Sequence, residues 1–100
     1  INMDEAFGPL ASVYKVSSRE EAISIANQTT FGLSSAIWSG DATEQEFFLK
    51  ELDAGAVFIN GMTISFPELA FGGIKDSGFG RELGAPGIRE FTNMKTIWQG

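Results

Sequence analysis

The chain has 100 residues, 43% of them hydrophobic and 12% aromatic, with a formal net charge of −6. That length allows one domain or a piece of a larger one, and the composition is that of a folded globular protein with a small core rather than a disordered one. The acidic balance disfavours nucleic acid and anionic membrane surfaces, and the absence of Cys and His excludes disulfides, thiolate or imidazole metal sites, a cysteine nucleophile and a Ser-His-Asp triad within this chain.

"INMDEAFGPL" (1–10) has neither a basic nor an apolar signal-peptide region, and no apolar run approaches bilayer-spanning length. Together with the missing cysteines this points to the cytoplasm. Acid–base chemistry in the chain falls to carboxylates, lysines or the lone tyrosine, Tyr14.

After a lead-in loop ending at Gly8-Pro9, the β-rich stretch "LASVYKV" (10–16) predicts a strand through Leu10, Val13, Tyr14 and Val16. Ser18 and Glu21 have capping-box spacing, and Ala22, Ile25 and Ala26 continue at helical period until Gly32 breaks the pattern. "LSSAIWSG" (33–40) predicts a second strand. Asp41 and Glu44 form a second capping box, ahead of a helix whose apolar stripe is Phe48, Leu49 and Leu52 and which Gly55 closes. "AVFIN" (56–60) is a continuous apolar run, as expected of a buried strand. Residues 10–60 therefore predict an α/β fold built on a parallel β-α-β-α-β unit.

Residues 61–84 predict a long Gly-rich loop, and loops of that length in compact domains serve a function or pack against another element. "APGIREF" (85–91) predicts a short helix with Pro86 in its first turn, and "MKTIWQ" (94–99) a terminal edge strand.

"FGGIKDSGFGRELG" (71–84) invites a phosphate-binding reading that its spacing does not support. Gly73 and Gly78 are spaced as in a P-loop, but Phe79 stands where the lysine belongs. Gly78 and Gly80 begin a dinucleotide fingerprint, but Leu83 holds the third glycine position. Glycines that let the backbone turn sharply and approach a neighbour account better for the loop. They leave Lys75, Arg81 and Glu82 unexplained.

"EAFGPL" (5–10), "ANQTTFGLSSAIW" (26–38), "AGAVFIN" (54–60), "FGGIKDSGFGRELG" (71–84) and "FTNMKTIW" (91–98) occur in this order. Together they resemble the C-terminal portion of the aldehyde dehydrogenase superfamily, nearest to the bacterial succinate-semialdehyde dehydrogenases. The resemblance implies NAD(P)+-dependent oxidation of an aldehyde, with succinate semialdehyde as the nearest substrate, by a cysteine thiolate and a general-base glutamate. Both would lie upstream of Glu5, so the chain is expected to be a fragment, residues 1–100 being part of a catalytic domain, inactive alone.

The resemblance also carries roles onto matching positions. Glu5 matches a glutamate that hydrogen-bonds the nicotinamide ribose, and Phe7 an aromatic beside the nicotinamide ring. Ser65 matches a serine that helps hold a distal substrate carboxylate, and Phe71 an aromatic lining the substrate tunnel. Glu82 matches a glutamate on a water or proton route, with a salt bridge to Arg81 or Lys75 as the structural alternative. The plain alternative for Phe7 is a core aromatic, and for Ser65 a loop serine bonded to its own backbone. No metal is implied. The partners implied are the rest of the enzyme chain, a small aldehyde and further copies in a homodimer or homotetramer, with residues 94–99 at the subunit interface. A non-catalytic assembly or binding module that keeps the family fold is the alternative from another class.

Overall fold

A computed structural model describes residues 4–100 of the chain. Helix α1 (Arg19–Ala26) begins as its capping spacing requires: the Ser18 hydroxyl accepts the Glu21 N–H at 3.1 Å. The return arm lands one residue earlier than in an ideal box, for the Glu21 carboxylate accepts from both the N–H (2.8 Å) and hydroxyl (2.7 Å) of Ser17.

The chain then makes a two-residue strand, β1 (Phe31–Gly32), and a longer one, β2 (Ser34–Ile37). Helix α2 (Ala42–Glu51) is capped by Asp41, whose carboxylate accepts from Thr43 and Glu44 N–H groups at 2.8 and 3.3 Å. Glu44 turns to the Ser39 hydroxyl. The helix's apolar contact includes Phe47, which meets Phe48 edge-on and carries the Arg19 guanidinium 4.4 Å above its ring. Strand β3 (Ala56–Ile59) returns beside β2 in parallel, Ser34 opposite Ala56 through Ile37 opposite Ile59. This β2-α2-β3 crossover is the expected α/β unit.

Two predicted strands do not form. Residues 10–16 are exposed and enter no ladder among the described residues, and residues 94–99 likewise. Their β-rich composition describes a surface that fits a sheet, but a strand needs a neighbour's N–H and C=O groups, and none lies alongside.

The loop of residues 61–84 is more ordered than its composition suggests. Its Ile74–Lys75 segment, β4, pairs antiparallel with β1, so the stretch folds back onto the chain that precedes β2. At its neck, Phe71 and Glu82 exchange two backbone hydrogen bonds of 2.7 Å. The last helix, α3 (Gly84–Arg89), starts earlier than predicted, with Pro86 two residues inside.

Among the described residues no apolar side chain is fully buried, and Phe79, Met94, Phe91 and Phe7 are almost wholly exposed. The radius of gyration is 17.1 Å, against about 13 Å for a compact domain of this length. Monomeric proteins rarely leave so much large apolar surface in water, which marks it as surface made to meet other polypeptide.

Candidate functional site

Strand β3 ends at Ile59, and the chain turns through Asn60, held in the left-handed region at φ 53°. The Asn60 side chain fixes this turn, accepting from Ser39 N–H at 2.9 Å and donating to the Ser39 carbonyl at 3.0 Å. The turn sends residues 62–71 back across the edge of β3. There they enclose a hollow of about 470 Å³ lined by Val57, Phe58, Ile64, Ser65, Leu69 and Phe71. A second hollow of about 290 Å³ shares Ser65 and Phe71 and adds the hydroxyl-bearing Ser34 and Thr63.

The arrangement is a mostly apolar recess with a few hydroxyls at its wall. Such recesses bind small, largely apolar molecules and orient them by one or two polar contacts. A hydroxyl can give one hydrogen bond to an anion but cannot neutralise it.

Phe71 also faces a third hollow of about 320 Å³, lined by Phe79, Arg81, Glu82, Glu90 and Phe91 among others. Glu82 forms no ion pair among the described residues. Arg81 instead donates to the carbonyls of Gly73 (3.0 Å) and Gly80 (2.6 Å), and Lys75 pairs with Asp53 at 3.4 Å. The structural alternative for Glu82, a salt bridge to either cation, is therefore not what this chain forms.

Of the residues singled out from sequence, Ser65 and Phe71 come together in shared hollows. Glu82 joins Phe71 through the backbone and the third hollow. Glu5 and Phe7 line none of these recesses. Both are exposed, and Phe7 adopts φ 43°. Thr63 and Ser34 went unremarked in the sequence, where isolated hydroxyls carry no spacing signal. Lys75 showed there only as an unexplained charge and an alternative partner for Glu82.

The aldehyde dehydrogenase family model matches residues 1–97. The chain belongs to the aldehyde dehydrogenase family. Within the family, the succinate-semialdehyde dehydrogenase (NADP+) 1 of Mycobacterium ulcerans is 61% identical over 97 residues, which is 97% of this chain and 21% of that protein. Among solved structures, the succinic semialdehyde dehydrogenase of Streptococcus pyogenes, crystallised in complex with NADP+ as the cofactor, superposes with a TM-score of 0.88. It is 44% identical, over 96% of this chain and 21% of that one. The betaine aldehyde dehydrogenase of Staphylococcus aureus in complex with NAD+ gives a TM-score of 0.84 at 37% identity, over 89% of this chain and 18% of that one. The chain thus spans 21% of the length of a curated relative such as the M. ulcerans enzyme.

Proposed function

We propose that these residues are the carboxy-terminal part of an NAD(P)+-dependent aldehyde dehydrogenase that oxidises succinate semialdehyde to the dicarboxylic acid. The observation that carries the reading is the shared hollow of Ser65 and Phe71. An apolar wall suits the short carbon chain, and the hydroxyl offers a hydrogen bond to its far carboxylate. The 61% identity to a succinate-semialdehyde dehydrogenase supports the same substrate.

In this reading the chain supplies walls and contacts, and the reacting sulfur and the general base come from the remaining polypeptide. Ser65 orients the distal carboxylate. Phe71 keeps water from the flank of the aldehyde. Glu5 accepts hydrogen bonds from the ribose hydroxyls, for which an exposed carboxylate has open lone pairs, and the exposed Phe7 ring is free to lie beside the nicotinamide. A bound nicotinamide would supply the hydride acceptor. Glu82, which forms no ion pair among the described residues, is available to a water route along the third hollow. Residues 94–99, with Met94, Ile97 and Trp98 exposed, complete a sheet at a subunit contact of a cytoplasmic homo-oligomer.

A panel of aldehydes offered to the full-length enzyme tests the reading, with NAD+ and NADP+ each supplied. Succinate semialdehyde is expected to show the highest kcat/KM, and the isolated chain, which has no cysteine, no turnover. An enzyme indifferent to the distal carboxylate would overturn the substrate. A full-length protein without thiolate and base would favour an assembly module instead.

A further inference from the structure

We propose that Lys75 is a positioning residue for the substrate wall, acting through Phe71. The inference rests on the reading of the Ser65–Phe71 hollow given above.

Lys75 is not a glycine, yet it sits at φ 54° inside the glycine loop, a backbone region that ordinary side chains adopt only when their surroundings hold them there. The surroundings are specific. Its ammonium group donates to the carbonyls of Asn27 (3.0 Å) and Thr29 (3.3 Å) and lies 3.4 Å from the Asp53 carboxylate.

Asn27 is the C-cap of α1, and its side chain reaches across to α2, donating to the Glu51 carbonyl at 2.7 Å and accepting from Asp53 N–H at 2.9 Å. The cation therefore lies where the carboxyl ends of both helices converge, the side to which helix dipoles attract positive charge. Its side chain is only 26% exposed, whereas Lys50 in the surface pair with Glu46 is 68% exposed.

The neighbouring residues extend the clamp. Asp76 N–H donates to the Thr30 carbonyl at 2.9 Å, and the Ser77 hydroxyl accepts from Gly32 N–H at 2.9 Å. Between the clamp and Phe71 lie Gly72, Gly73 and Ile74. The two glycines are held through backbone, by the Gly55 contact and the Arg81 bond to the Gly73 carbonyl, and Ile74 by the ladder to Gly32. The Lys75 clamp thus joins the paired neck to Glu82, the β1–β4 ladder at Ile74 and the Arg81 bond to the Gly73 carbonyl in setting where Phe71 stands. Removing the ammonium relaxes the left-handed turn at Lys75 and so loosens the ribbon that presents Phe71 to both hollows holding Ser65.

A double-mutant cycle in the full-length enzyme tests this, with Lys75→Met, Phe71→Ala and the pair. Lys75→Met is expected to raise KM for succinate semialdehyde roughly fivefold, within the range for residues that act through one another. The Kd for NADP+ should stay within about twofold of wild type, with Lys75→Arg recovering part of the loss. In the Phe71→Ala background the same substitution should add nothing further. A full, independent effect in that background, or a silent Lys75→Met beside an effective Phe71→Ala, overturns the positioning role alone. A silent Phe71→Ala overturns the wall reading and this inference with it. If Lys75→Met does not accumulate as folded enzyme, Asp53→Asn removes the ion pair, keeps both carbonyl contacts and runs through the same cycle with the same outcomes.

Discussion

Gly55 and Gly72 lie so close that a Cβ added to Gly55 would overlap the Gly72 carbonyl oxygen. This contact presses the glycine loop against the start of β3. It also explains why a residue that ends the α2 connection must be glycine when its own φ does not require it.

Gly55→Ala is therefore expected to destabilise the full-length enzyme by about 3 kcal/mol, the upper part of the usual overpacking cost, because both colliding groups are backbone. Gly40→Ala, with nothing within 4 Å of the new Cβ, is the control. Urea unfolding midpoints of the two variants provide the check, and equal midpoints would contradict the packing described.

Ser65→Ala should impair oxidation of succinate semialdehyde more than that of an aldehyde of equal chain length without the carboxylate. The expected difference in kcat/KM corresponds to about 1.5 kcal/mol, the lower end for a hydrogen bond to a charged group. Equal losses on both substrates would remove Ser65 from the recognition of the anion.

Glu5→Gln should slow hydride transfer in single-turnover measurements, since an amide accepts from two ribose hydroxyls less well than a carboxylate does. Unchanged single-turnover rates together with unchanged cofactor Kd would rule out the ribose contact.

The Glu21 carboxylate is held below its ordinary value, first by the Ser17 N–H and then by the Ser17 hydroxyl. A depressed acid stabilises the fold at pH values above its unfolded pKa, and that contribution fades as pH falls through the lowered folded value. The melting temperature of wild type should exceed that of Glu21→Gln at neutral pH, and the gap should close in acid. A gap constant across the titration would show that the Ser17 bonds do not select the charged form.

Helix starts were legible because a cap is a local device. Ser18 and Asp41 bond to amides two or three residues away, so spacing alone reveals them. The apolar run of 56–60 and the short connection through α2 likewise announced β3 and its parallel partner, but not its burial. Among the described residues β3 is half-buried and Ile59 exposed, because none of them covers its second face. The order of five segments was enough to mark the family.

The 10–16 and 94–99 segments show where such reading stops. Their composition favours strands, but pairing is a property of two segments, and these two find no neighbour among the described residues. The glycine stretch gives the opposite lesson. Its glycines implied a close approach to some neighbour but not to which one: Lys75, Asp76 and Ser77 bind it to residues some 45 positions earlier, and no local pattern encodes so distant a set of contacts.

Family, fold class and the two helix caps follow from short-range chemistry and were written in the order of residues. The meeting of Ser65 with Phe71 and the contacts of Lys75 depend on which distant backbone each segment packs against. Packing of that kind is settled by the whole chain at once, because each contact forms only after others have brought its partners within reach.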